Sequence, residues 1–316
     1  MKKLITSLFT ALAFFLAVGL SSNAQTESKF QEFNSFSGIN IVGPFEVSIR
    51  QGYNYSVDWT VDTALKDYVE VYSKNRILNL EYNQKGIPSS LKKVYRGKNG
   101  RVAVMKVVIT LPEFSELRLS DNASVDAGTG GAVFESDNLL IDATGNSKIT
   151  SLSFNADKAS ITVSKNANVT INLNANEIDV TSSGNGIALL QQDSDKINVN
   201  ASGSSSVTAK GNTMDINLTT ANSSKVAMDG TAKDIVVNAQ GSSEVDALNM
   251  FVNDAELTVN SATVTVNAAE NLSVDLKSGA RVYFQEDPVI KLVDIQSSTL
   301  SRYTGEAPKR KGIRIF

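Results

Sequence analysis

The sequence predicts an all-β protein, a parallel β-solenoid of about nine coils behind a small N-terminal β head. Three observations carry this. First, a β-branched residue follows a Gly- or Asn-centred turn at Val125, Ile149, Val169, Ile187, Val207, Val226, Val245, Val264 and Val282, at steps of 24, 20, 18, 20, 19, 19, 19 and 18 residues. Second, short alternating strands precede these anchors, among them "IDVTS" (178–182), "INVNA" (197–201), "INLTT" (216–220) and "IVVNA" (235–239). Third, residues 113–287 contain no proline, as suits a stack in which every backbone N–H donates. Repeats this short cannot close a core singly, but stacked they bury a continuous one. Period-two alternation excludes helical solenoids. A sandwich of many short strands would explain the strands but not their constant interval.

Taken in order, residues 1–24 read as a secretory signal. Lys2 and Lys3 precede an apolar run from Leu4 to Leu20, and Ser22-Asn23-Ala24 supplies small residues for cleavage. The run is at the short limit for a membrane span, so the mature chain is expected to start at Gln25 and to carry no transmembrane segment. The chain has no cysteine, which excludes disulfides and N-terminal lipidation.

Residues 25–113 form the expected head. It holds Trp59, the only tryptophan, and six of the eight tyrosines lie between Tyr53 and Tyr95. Its candidate strands are Ile39–Val42, Phe45–Gln51, Tyr55–Asp62, Ile77–Tyr82 and Val102–Leu111, with a helical turn capped by Asp62. The head is expected to cover one open end of the stack, where an exposed strand edge would invite aggregation. In "YNYSVDW" (53–59), Tyr53, Tyr55, Val57 and Trp59 share one face, read as core in preference to a sugar-stacking platform.

Residues 114–284 form the solenoid, its turns set by Asn122, Gly145, Asn166, Gly184, Gly203, Asn222, Gly241 and Gly279. Gly and Asn tolerate the positive φ of a tight turn. Ser and Ala flank them because turns stacked roughly 4.8 Å apart leave no room for bulk, and nine coils make a rod on the order of 40 Å long. Residues 285–316, with Pro288, form the C-terminal cap. Their last segment, "KGIRIF", is read as a closing strand in preference to a piece of a membrane barrel.

Charge is divided along the chain. Residues 25–113 hold 12 basic and 9 acidic residues, residues 114–284 hold 10 and 20, and residues 285–316 hold 6 and 4. The acidic middle repels nucleic acid and anionic lipid.

With neither histidine nor cysteine, Ser-His-Asp and Cys-His catalysis and ordinary zinc sites are excluded. No phosphate-binding glycine loop or calcium-binding nonapeptide is present. Carboxylates remain, and Asp142, Asp179, Asp215, Asp234 and Asp275 fall in or just ahead of the first strands of their coils. They are read as solvent-facing residues that keep a β-rod soluble, in preference to a glycosidase or calcium-assisted lyase site. No metal and no cofactor is expected. The stretch "QKGIPSSLKKVYRGKNGR" (84–101) has six basic residues and no acidic one. Lys92, Lys93, Arg96 and Lys98 are its candidate contacts to an anionic glycan, against the plainer reading of a solvated hairpin loop.

"FSGIN" (36–40), "GPFEVSIRQG" (43–52) and "VVITLPEFSELRLSDNASV" (107–125) resemble the head GIN domain family, auto-transporter adhesins of Bacteroidetes-type bacteria. Gly38-Ile39-Asn40 matches the naming motif. The resemblance implies a right-handed, pectin-lyase-like β-helix, no catalytic residues, and a role in cell adhesion. The chain has no room for an outer-membrane barrel after the repeats, so the resemblance does not extend to self-export. The resulting expectation is an exported, non-enzymatic adhesion or envelope-interaction protein, in the periplasm, at the outer-membrane surface or outside the cell. Its partner would be a glycan or another cell-surface component. The alternatives are a polysaccharide lyase or glycosidase on the same scaffold and a periplasmic structural or sensing component.

Overall fold

The computed structural model describes residues 25–96, 100–128 and 131–305. Between Glu116 and Gln285 the chain winds a β-solenoid of about nine turns. Each coil has two arms. In one coil, Lys196–Ala201 forms the first arm, a tight turn follows, and Ser206–Asn212 forms the second. A bend near residue 213 then leads to the next first arm, Asp215–Thr220. These arms pair in parallel with their counterparts above and below, so the backbone groups of a regular arm are satisfied by its two neighbours.

The alternation sorts side chains as expected. Ile197, Val199, Val207, Ala209, Ile216 and Leu218 are buried, while the residues between them are half-buried or exposed. One anchor differs from expectation. Ile187 is 38 % exposed, and it is Ala188 that stands in register with Val169 below and Val207 above. The "SGNG" turn is placed so that the inward position falls one residue later. In a strand, a one-residue offset exchanges the two faces.

Positive φ recurs at the turns but not always at the expected residue, and the turn before Arg281 has it twice, at Ser278 and Gly279. Gly145, Gly184, Gly203, Asn222, Gly241 and Gly279 adopt it, whereas Asp121 and Lys165 do so in place of Asn122 and Asn166. Those asparagines serve differently. Asn146 Nδ2 donates to Asn122 Oδ1 at 3.0 Å, Asn166 to Asn146 at 3.1 Å, and Asn185 to Asn166 at 2.9 Å. Stacking places identical amides one coil apart, where each can donate to the next.

Head and solenoid share one sheet. Strands Gly38–Val42 and Glu46–Gln51 form a coil that lies parallel on Glu116–Ser120 and Ser124–Ala127. On its other side lie Ile77–Tyr82 and Met105–Leu111, again parallel. The order of the coils therefore differs from the order of the chain. The direction then reverses: Tyr55–Asp62 runs antiparallel on Met105–Leu111, and Val69–Lys74 on Ile77–Tyr82. Thr26–Phe33 adds a last antiparallel strand to Tyr55–Asp62.

The head core is aromatic and aliphatic, and Phe114, Phe134 and Phe154 continue it into the first coils with ring centroids 4.9, 5.5 and 6.1 Å apart. Val57 and Trp59 are core, the indole donating to Gln31 Oε1 at 3.1 Å. Tyr53 belongs to the surface, because it sits in the turn before its strand begins at Tyr55. At the far end, Val289–Ile295 and Thr299–Arg302 add the last rung. The "KGIRIF" segment and the signal region lie outside the described residues.

Candidate functional site

The bends between arms stack into a groove of about 650 Å³ running across five successive coils. One wall is the column Glu135, Asn155, Asn174, Asp193 and Asn212; the other is Asp137, Asp157, Asn176, Asp195 and Met214. The small residues Ser136, Ala156, Ala175, Ser194 and Thr213 form the floor between them. A second hollow of about 360 Å³ continues it toward the head, sharing Glu135, Ser136 and Asp137 and adding Glu113 and Asn138.

Alternation at the bend creates this shape. Residues two apart in an extended chain point the same way, so each "acid-small-acid" triplet puts two polar groups on either side of a short one. Hydrogen bonds order the first wall. Asn155 Nδ2 donates to Glu135 Oε1 at 2.8 Å and Asn174 Nδ2 to Asn155 Oδ1 at 3.2 Å. Asn212 donates to Asp193 Oδ1 from its backbone N and its Nδ2, at 3.0 and 3.2 Å, and Thr231 donates to Asn212 Oδ1 at 2.8 Å. In the floor the Ser194 hydroxyl lies 2.7 Å from Gln192 Oε1 and 3.1 Å from Thr213 Oγ1.

Asn155, Asn174 and Asn212 each spend one side-chain N–H on a neighbour and keep another for a ligand, and a carboxylate can accept several hydrogen bonds. Five carboxylates and no basic residue line the main groove, so it favours hydroxyl or amino groups and disfavours anions. Among the described residues, no group of three or more acidic side chains is arranged to hold a metal ion.

The acids singled out from the sequence do not gather. Register places Asp142 and Asp275 in one column, far apart along the rod, and Asp179 in another. Only Asp215 and Asp234 stack directly, and Asp254 extends them. Lys233 pairs with Asp234 at 3.0 Å, and Lys277 with Asp275 at 3.0 Å. Lys158 reaches Glu177 and Asp179 at 3.0 and 3.1 Å. Partial burial works against the charge of Asp179, yet hydrogen bonds from Asn198 and Lys158, with the charges of Lys158 and Lys196, hold its carboxyl below the ordinary range.

The basic stretch of the head is a short helix, Ser89–Val94, rather than a hairpin loop. Lys92 and Lys93 occupy its last turn, Lys93 and Arg96 are exposed, and Lys98 lies outside the described residues. The segment is fastened at its end. Arg101 Nη2 stands 3.0 Å from Asp62 Oδ2, whose side chain is 1 % exposed, and the Arg101 guanidinium lies 6.0 Å from the Tyr95 ring centre. Burial, then the Asp62 carboxylate beside it, pushes the Tyr95 hydroxyl up to about 12. Asp62 therefore anchors this segment and also accepts from Ala64 N at 3.2 Å. It does not cap the helical turn expected after it: that turn, Lys66–Tyr68, follows Leu65 and has no side-chain cap.

The groove was missed from the sequence although two signals mark it. Acids recur two apart at Glu135/Asp137 and Asp193/Asp195, and Gly211 and Gly230 fall one coil apart, away from the anchor turns. Both glycines have positive φ, 139° and 133°, and a Cβ on Gly211 would collide with the Gln192 carbonyl oxygen of the coil below.

Similar solved structures include a putative adhesin from Parabacteroides merdae, at 15 % identity, TM-score 0.44, covering 89 % of this chain and 98 % of that one. A putative adhesin from Parabacteroides distasonis aligns at 17 % identity and TM-score 0.44, and a putative lipid binding protein from the same organism at 18 % and 0.43, both with the same coverages. No curated protein matches the chain. The family model described as "Putative auto-transporter adhesin, head GIN domain" matches residues 35–215 and 190–288, which together take in the GIN motif, the head and the stacked coils. The chain belongs to the head GIN domain family.

Proposed function

We propose that this is an exported, non-enzymatic adhesion protein whose corner groove holds an uncharged, hydroxyl-rich polymer such as a cell-surface glycan. The observation that carries this reading is the five-coil groove with its paired columns of amides and carboxylates. A polymer of repeating hydroxyls meets a wall that repeats at roughly the 4.8 Å strand spacing, so successive units find similar partners. A long, open, polar trough suits binding along a chain more than enclosure of a small molecule. The family description supports adhesion, and the absence of histidine and cysteine from the sequence supports a binding role. A second contact is supported by the exposed Lys93 and Arg96 beside Lys92, which suit anionic surfaces that the groove would repel.

A glycan array with the mature chain tests the reading. Asn176→Trp fills the groove midway without touching the hydrogen-bonded wall, and it is expected to weaken binding of neutral glycans at least about tenfold while the fold persists. Lys92, Lys93, Arg96 and Lys98 changed together to Ser should leave neutral-glycan binding intact and remove a salt-sensitive attachment to anionic surfaces. Turnover of a polysaccharide, or binding indifferent to Asn176→Trp, defeats the groove assignment. Protease access to the protein on intact cells separates a surface protein from a periplasmic one.

A further inference from the structure

The two ends of the stack differ. At the head end the parallel coils are closed by the reversed strands Tyr55–Asp62 and Val69–Lys74. At the other end, among the described residues, Val289–Ile295 pairs on one side only. Ile290, Leu292 and Ile295 continue the buried column Leu272, Val274 and Leu276, yet they are 40 to 56 % exposed, because no rung lies over them. Val289 and Val293 are exposed as well. An apolar strand with an unpaired edge recruits another strand.

We propose that the occupant is a second copy of this chain, joined end to end through antiparallel pairing of Val289–Ile295 about a two-fold axis. The strand is complementary to itself in one register. With Lys291 opposite the partner's Asp294, Asp294 meets the partner's Lys291, and Ile290 meets the partner's Ile295. In a regular strand, residues 290 and 295 would face opposite sides. Here the register shifts between Val274 and Asp275: Leu292 opposes the former and Asp294 the latter, so Val293 is an extra residue. The bulge brings Ile290 and Ile295 to the same inner face and Lys291 and Asp294 to the same outer face. Paired residues in an antiparallel ladder share a face, so the register works only because of that bulge. Lys291 has no ion pair among the described residues, and Asp294 accepts a hydrogen bond from Gln296 Nε2 at 2.6 Å. A two-fold pairing uses this same edge in both copies, so the association closes as a dimer instead of extending as a fibre.

Sedimentation velocity of the mature chain is expected to show a dimer, with circular dichroism confirming the fold of each variant. Lys291→Asp and Asp294→Lys, each alone, should raise the dissociation constant about tenfold or more by opposing like charges. The double exchange, Lys291→Asp with Asp294→Lys, should restore association. A mature chain that stays monomeric overturns the proposal. So does a dimer indifferent to the single changes, or one that the double exchange fails to rescue. If a chain ending at Gly305 dimerises while the longer one does not, residues 306–316 are the occupant and the proposal fails.

Discussion

Asp62 Oδ2 and Arg101 Nη2 stand 3.0 Å apart at the foot of the basic helix, the aspartate shut from solvent and the arginine 37 % exposed. Removing one partner strands a buried charge. Because the arginine is partly solvated, the cost of Arg101→Ala is discounted to about 2 kcal/mol. Urea unfolding should show it as a lower midpoint at unchanged slope.

Tyr95, beside this pair, gives a pH signature. Its folded-state pKa is raised, from 10.0 to about 12. A raised pKa means that the folded state holds a proton the unfolded state has released, so the contribution is complete below pH 10 and is lost as pH climbs toward 12. The melting temperature of the native protein should fall more steeply across that window than that of Tyr95→Phe. Parallel curves would show that Tyr95 does not couple to folding.

The shifted anchor makes a paired test. Ala188→Asp puts an unpaired carboxylate between Val169 and Val207 and should cost at least several kcal/mol. Ile187→Ser, on the outer face one residue away, should cost about 0.5 kcal/mol or less. Equal thermal shifts for the two would mean that the register of this coil is wrong.

At Gly211, any side chain must displace the Gln192 carbonyl below it and hold a φ of 139°. Gly211→Ala should therefore destabilise by about 3 kcal/mol and distort the groove. Gly279→Ala meets no atom within 4 Å, and carries only the cost of its positive φ, about 1 kcal/mol. The difference is readable by thermal denaturation.

The outer face also holds a revised expectation. From the sequence, Asn217 is one of many solvent-facing positions where Asp should cost about 0.5 kcal/mol or less. In the structure Asn217 Nδ2 donates to Asn198 Oδ1 at 3.0 Å, and Asn198 Nδ2 to Asp179 Oδ1 at 2.8 Å. Asn217→Asp removes that donor and sets an acceptor against an acceptor, so a loss of about 1 kcal/mol is expected, still well short of Val226→Asp in the core.

The sequence by itself determined the repeat, because its causes are local. A coil needs one residue that tolerates positive φ, small neighbours for the stacked turn, and alternation of period two, and "GSSSV", "NSSKV" and "GSSEV" carry these in consecutive residues. It also bounded the chemistry by lacking histidine and cysteine. The tertiary structure decided what depends on register between distant residues. Whether 187 or 188 points inward turns on the parity of a turn, and a shift of one residue exchanges the faces. The coil 38–51 lies between 77–111 and 116–127, since strand edges are alike to the backbone and packing selects the neighbour. Asp142, Asp179, Asp215, Asp234 and Asp275 looked equivalent along the chain but fall in three columns, where only Asp215 and Asp234 are neighbours. The groove comes from Glu135, Asp157, Asp193 and their neighbours, which meet only when coils about 19 residues long stack one upon another.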